Sequence, residues 1–272
     1  MGLSTRKYKQ GLSKKESFLI SSLARGNKNV FTIEDARGIV KDNTKKIMHS
    51  LIQKKWVLPL KRGLYVIVPL DIGVRGADSF VMHNFVIASY LTEPYYIGFW
   101  SALNYHSLSD QIPRTNYIAT TKARKPLNIL DSTFQFVKLE RKKLFGTTEI
   151  EIEDRKIEIS NPEKTVADCL DHPEHCGGID EIARSIYFSH RELDFETIRE
   201  HALKMDNLTI MKRLGYILGK TGLLENYMKI FEDFKPSKGY PALDPISLRK
   251  GRHNKKWGLL INWELKPEGW MY

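Results

Sequence analysis

Only two cysteines occur in 272 residues, too few for a disulfide framework. The opening stretch MGLSTRKYKQ lacks the apolar region of a signal peptide, so a reduced, cytoplasmic protein is expected. No apolar run approaches the roughly 18 residues that a membrane-spanning helix needs. Internal repeats and low-complexity tracts are also missing. With 42% hydrophobic and 28% charged residues there is no case for extended disorder, and the length suits two domains.

One further absence is local. Residues 43–65, NTKKIMHSLIQKKWVLPLKRGLY, hold six Lys/Arg and no acid at all. Across residues 1–68 there are 15 basic and four acidic residues, a surplus of eleven. That equals the net charge of the whole chain, so residues 69–272 are neutral in sum. Charge concentrated in this way is the footprint of a polyanion partner, whereas a solubility device would be spread over the surface. A membrane surface is a poorer partner, because no long amphipathic apolar helix accompanies the charge.

The periodicity of the same stretch predicts a helix with two unlike faces. At about 100° per residue, Thr44, Ile47, Met48, Leu51 and Ile52 share one arc. Lys45, Lys46, His49, Ser50 and Gln53 share the opposite arc, and Lys54 follows. Two helices are expected upstream. LSKKESFLISSLAR places Leu12, Phe18, Leu19 and Leu23 near helical spacing before Gly26. FTIEDARGIV opens with a capping-box-like Thr32 and Asp35. Asp42 and Asn43 are candidate caps for the basic helix. Downstream, WVLPL and LYVIV flank the turn Lys61-Arg62-Gly63, with Gly63 free to take a positive φ. Helix, helix, basic helix and hairpin is the order of a winged helix-turn-helix. Its third helix would enter the major groove of double-stranded DNA, and Lys61 and Arg62 would touch phosphate from the hairpin tip.

Past a linker at 71–77 the pattern changes. DSFVMHNFVIASYL (78–91) reads as a helix, YYIGF as a strand, and WSALNYHSL as another helix. RTNYIATT, TFQFVKL and TEIEIEDRKIEIS read as strands, the last as a hairpin turning at Asp154–Arg155. From Pro162 the pattern is helical through GLLENYMKIFEDF, and the tail around Trp257 to Trp263 is expected to pack as a final strand. The expected fold is α+β: a winged domain at 1–70 and a larger mixed domain at 78–272 with a helical C-terminal half.

Three stretches in the second domain could carry chemistry. CLDHPEHC sets Cys169, His172, His175 and Cys176 within eight residues, the donor types of a zinc site. Zinc sites ordinarily draw ligand pairs from separate segments, so an inward Cys169 and surface histidines are the simpler reading, with no metal. Glu149, Glu151 and Glu153 would share a strand face beside Lys156, as in metal-dependent nucleases, although Ile150 and Ile152 on the alternate face suit an ordinary half-buried hairpin. SNPEKTVADCL is explained by capping: Asn161 as cap, Pro162 in the first turn and Glu163 at the positive helix end.

Taken in order, several of these segments resemble the AbiEi-type antitoxins, winged-helix regulators of abortive-infection (type IV) toxin–antitoxin systems. The likeness runs over most of the chain. It rests on Gly63-Leu64-Tyr65, on Ser101-Ala102-Leu103 with His106-Ser107-Leu108, and on Ile112-Pro113-Arg114 leading into Tyr117-Ile118-Ala119-Thr120. It continues through Asn161-Pro162-Glu163-Lys164-Thr165, Asp168-Cys169-Leu170 and Gly177-Gly178. Two positions depart from the family pattern: Lys164, where Arg is commoner, and Ser107, where Gly is commoner. The resemblance implies a repressor of its own operon that binds promoter repeats and counteracts a partner nucleotidyltransferase toxin in antiviral defence. It implies no catalysis and no cofactor. His106, Arg114, Glu163, Lys164 and Asp168 are then the motif residues of the antitoxin domain, and two half-sites would call for a homodimer on DNA. The alternatives are a nucleic-acid enzyme built on Glu149, Glu151 and Lys156, or a stand-alone regulator whose second domain senses a ligand.

Overall fold

The computed structural model describes residues 9–70 and 80–270, so the expected linker at 71–77 lies outside the described residues. The chain is α+β and falls into two compact units, Met1–Met82 and His83–Tyr272.

In the first unit, α1 (Lys14–Arg25) starts at a reciprocal cap. The Ser13 hydroxyl accepts the Glu16 amide, and the Glu16 carboxylate accepts the Ser13 amide at 2.7 Å. Leu19 and Leu23, one turn apart, are buried, whereas Phe18 stands about 100° round the helix and is 61% exposed. A short strand β1 (Val30–Thr32) leads into α2 (Ile33–Val40), whose expected Thr32–Asp35 capping box is present at 2.8 and 3.1 Å. Lys28, bonded to the Asp35 carboxylate at 2.6 Å, and the Thr32 amide together hold that carboxyl at about 2.

The basic helix is α3 (Thr44–Gln53). Asn43 occupies its cap position in a left-handed conformation (φ 58°) without a side-chain bond, so neither Asp42 nor Asn43 caps it as expected. Thr44 instead donates its hydroxyl to the Lys41 carbonyl at 3.3 Å. Strands β2 (Val57–Lys61) and β3 (Leu64–Ile67) form the hairpin, with Gly63 at φ +82° as the turn requires. The three strands pair antiparallel in the order β1-β3-β2. Strand β1 escaped the sequence because three residues carry no readable alternation. Leu19, Leu23, Phe31, Ala36, Ile47, Met48, Leu51 and Val57 close the core.

The second unit is built on a mixed six-stranded sheet in the order β6-β7-β5-β4-β9-β8. Its strands are β4 (Tyr95–Ile97), β5 (Thr115–Thr120), β6 (Leu127–Ile129), β7 (Ser132–Lys138), β8 (Thr147–Ile152) and β9 (Arg155–Ser160). The helix expected over 78–91 is cut to α4 (Asn84–Ser89), because the His83 ring accepts the Phe85 amide and starts the helix there. Helix α5 (Phe99–Tyr105) follows β4 directly. The β8–β9 hairpin turns at Glu153–Asp154, one residue earlier than expected, with both in the left-handed region at φ 50° and 57°. That removes Glu153 from the strand face.

Helices α6 (Pro162–Asp171), α7 (Ile179–Ser189), α8 (Phe195–Lys204) and α9 (Leu208–Lys220) make the helical half. Residues Leu224–Phe231 form 3-10 turns broken at Tyr227, where an α-helix was expected. Tyr227 is drawn away: its hydroxyl donates to the His190 carbonyl at 2.8 Å, and its ring lies 4.1 Å from that of Phe195. The tail forms a hairpin of β10 (Arg252–Asn254) and β11 (Leu259–Ile261) rather than a single strand. Gly215 on α9 leaves room for the Trp257 ring, which would lie 2.2 Å from any Cβ there.

Candidate functional site

In the first unit, α3 separates its faces as its periodicity dictates. Thr44, Ile47, Met48 and Leu51 are buried, and Ile52 is half-buried. Lys45, Lys46, His49 and Gln53 lie on the other side, and the His49 ring and Gln53 amide meet one turn apart at 3.4 Å. Arg62 is exposed at the hairpin tip, and Lys61 is half-buried at the end of β2. The N-terminal end of α3 carries no side-chain cap and no acid in its first turn, so its backbone amides and dipole add to the positive field.

Lys54 does not belong to this outward set. Its Nζ donates to Glu16 Oε2 at 2.7 Å, with the Glu16 side chain 4% exposed. Burial pushes the Glu16 carboxyl up, but donors from Lys54, Ser50 and Ser13 outweigh it and bring it down to about 2. Lys54 and Ser50 therefore fasten α3 to the start of α1. Beside this tie, Lys14, Lys15 and Lys46 rim an open groove of about 490 Å³. With Lys54 spent on Glu16, these three lysines leave the groove suited to an anion.

The motif residues of the second unit turn out to be mostly internal. Lys164 and Asp168 on α6 are buried and joined to one another. The Tyr96 hydroxyl donates to Asp168 at 2.7 Å, and Lys164 Nζ donates to that hydroxyl at 3.0 Å. Burial raises the Asp168 carboxyl above the ordinary range, with the Lys164 ammonium and the Tyr96 hydroxyl pulling the other way. His106 Nε2 lies 2.7 Å from the Ser160 carbonyl oxygen, and burial lowers its pKa. Glu163 accepts the Asp194 amide at 3.3 Å. Arg114 alone of the five is exposed. Ser107, the departure from the glycine pattern, sits in the left-handed region at φ 57°. These residues hold the sheet, α5, α6 and α8 together, and a partner can touch few of them directly.

The carboxylates of the alternative enzyme reading lie on an exposed hairpin. Glu149 and Glu151 are exposed on the edge strand β8, and Glu149 pairs with Lys156 at 2.6 Å. In the cysteine–histidine stretch, both Cys169 and Cys176 are buried as free thiols. His172 and His175 are half-buried against Phe99 and not on the surface as expected. Among the described residues, His172, Glu174 and His175 are the one group of three or more whose donor atoms come within 4.8 Å of one another. Both nitrogens of His172 already face carboxylates, Nδ1 at 3.0 Å from Glu174 and Nε2 at 3.5 Å from Asp171. Although burial opposes it, these carboxylates raise the His172 pKa, favouring the charged ring over the neutral donor a metal needs.

Sequence reasoning missed two features: the Glu16–Lys54 tie, which joins residues 38 apart, and a run of cations at 249–256, RKGRHNKK, hidden by a neutral total. A running sum of charge would have found the second. Among the described residues no helix is long and apolar enough to cross a membrane.

The fold is shared with a known structure. The crystal structure of the RV2827C protein from Mycobacterium tuberculosis superposes with a TM-score of 0.67 over 94% of each chain, at 12% sequence identity. At that identity the likeness is one of α+β architecture alone. No protein-family model matches the chain, and no curated protein does.

Proposed function

We propose that this protein is a DNA-binding repressor whose first unit acts as a winged helix-turn-helix, and that it serves as the antitoxin of a toxin–antitoxin pair. The observation that carries the DNA half is the two-faced α3. Its apolar side closes the core, while Lys45, Lys46, His49 and Gln53 are exposed, as is Arg62 at the acid-free hairpin tip. His49 and Gln53 are placed to read base edges, and the lysines and Arg62 to hold phosphate. The antitoxin half rests on the AbiEi resemblance. It makes the second unit the element that opposes a nucleotidyltransferase toxin, and it puts the protein in the cytoplasm as a homodimer on promoter repeats, without catalysis.

The test is the Lys45→Ala/Lys46→Ala variant. Both side chains lie off the apolar face of α3, so its stability should change by no more than about 0.5 kcal/mol. Affinity for operator DNA should fall, and the slope of log K against log salt should flatten by about one unit for each lysine removed from a phosphate. Unchanged affinity and slope would move the DNA surface elsewhere. For the antitoxin half, growth of cells expressing a neighbouring nucleotidyltransferase gene should recover when this protein is co-expressed. If growth stays arrested, the second unit has another task.

A further inference from the structure

The neutral charge of the second unit conceals a strong segregation. Residues 235–256 hold seven Lys/Arg and one acid, Asp244, a local surplus of six. Asp244 is buried and its carboxylate accepts the Ser247 hydroxyl at 2.6 Å, so it offsets little of the charge outside. Arg249, Lys250, Arg252, Lys255 and Lys256 are all exposed, and none forms an ion pair among the described residues. Uncompensated cations crowded into eight residues repel one another. Their placement therefore costs stability unless a polyanion takes them up.

The run is also held on a rigid element. Three carbonyls of the tail, those of Ser237, Gly239 and Gly258, accept the Lys212 ammonium at 2.9, 3.2 and 3.2 Å. Arg213 beside it reaches the Ala242 carbonyl at 2.9 Å. At Gly251 the two strands approach so closely that a Cβ would fall 1.9 Å from the Ile261 carbonyl oxygen. Arg252 opens β10, and Lys250 stands just before it, past the bend at Gly251, where its amide donates to the Leu248 carbonyl at 2.7 Å. They border an open groove of about 720 Å³ that also takes in Lys220 and His253, with Glu264 as its acid.

We propose that this C-terminal hairpin is a second nucleic-acid contact, which grips the sugar–phosphate backbone of duplex DNA without reading its sequence. Stacking of bases is the weaker alternative: the Tyr240 ring is covered by His253 at 4.4 Å, Trp257 is buried, and Trp263, the exposed indole of the groove, is tied through its Nε1 to the Asp180 carboxylate. The phosphate contact follows from the charge and geometry of the hairpin itself. The choice of duplex DNA rests on the reading of the first unit.

The experiment uses the full chain carrying Arg249→Gln, Lys250→Gln, Arg252→Gln, Lys255→Gln and Lys256→Gln together. Binding is measured over a salt series on a random duplex and on the operator, with the Lys45→Ala/Lys46→Ala variant alongside. The expected result is a salt slope lower by about 0.9 for each phosphate no longer neutralised, and an affinity for random duplex reduced by about tenfold or more. The ratio of operator to random binding should stay constant, and relief of the repulsion among these cations should leave the melting temperature equal to or above that of wild type. A slope and affinity equal to wild type would overturn the inference; the Lys45/Lys46 variant judges the first unit independently. Single-stranded RNA and phosphatidylserine vesicles form the other arms. A weakening confined to either, with duplex binding intact, would also overturn it.

Discussion

Replacing Lys164 by Met removes the cation from a fully buried charge pair and leaves Asp168 facing only the Tyr96 hydroxyl. Breaking a buried pair from one side costs about 3–5 kcal/mol, a large share of the stability of a domain. The cost should depend on pH, with a sign fixed by Asp168. Burial already raises its carboxyl, and without Lys164 the folded state holds the proton to still higher pH. The folded variant then binds more protons than the unfolded chain, so its stability falls as pH rises, by up to about 1.4 kcal/mol per pH unit. Adding Asp168→Leu to Lys164→Met should recover about 2–3 kcal/mol relative to the sum of the single costs. Urea unfolding followed by tryptophan fluorescence reads this, because Trp100, Trp257, Trp263 and Trp270 all belong to the second unit. Curves at pH 5.5 and 8 give the pH dependence. A Lys164→Met cost below about 1 kcal/mol, equal at both pH values and additive with Asp168→Leu, would refute the view of these motif residues as a structural core.

Glu16→Gln should loosen the first unit, because a carboxyl held at about 2 in the folded state contributes stability above its unfolded value of 4.5 and loses it as pH falls from 4.5 toward 2. The gap bounds the loss at about 3 kcal/mol, and melting of wild type and variant should converge by pH 2; a constant difference would place the shift elsewhere. Ser107→Gly should raise the melting temperature, since a non-glycine residue at φ 57° costs about 1 kcal/mol, offset in part by the added freedom of the unfolded chain. A lower melting temperature would mean the hydroxyl contributes more than the strain. Gly63→Val should distort the hairpin tip at φ +82° and weaken operator and random DNA alike, checked by competition binding. Metal analysis of protein purified without a His tag should give well under one zinc per chain, and chelators should leave the melting curve in place. Stoichiometric zinc that leaves together with the fold would contradict the ion-paired state of His172.

Sequence alone determined the elements whose signal is local. The 3.6-residue period of α3 set its buried and exposed faces, the Thr32–Asp35 box set the start of α2, and Lys61-Arg62-Gly63 set the hairpin turn. Each depends on residues within a turn or two of one another, where backbone sterics and capping bonds act without help from the rest of the chain. Only the tertiary structure decided what long-range packing controls. Lys54 reads as one more cation of a basic stretch until Glu16, 38 residues away, is brought to 2.7 Å. Lys164 and Asp168 read as polar motif residues, and it is the sheet and Tyr96 that bury them. The helix expected at 222–234 gave way to broken 3-10 turns, where Tyr227 is drawn to His190 and Phe195 and leaves the backbone ladder. The cations of 249–256 were in plain view, yet their sum with distant acids is zero; folding puts only Glu264 of those acids among the residues lining the groove beside the hairpin, and so creates a charged surface that composition had cancelled.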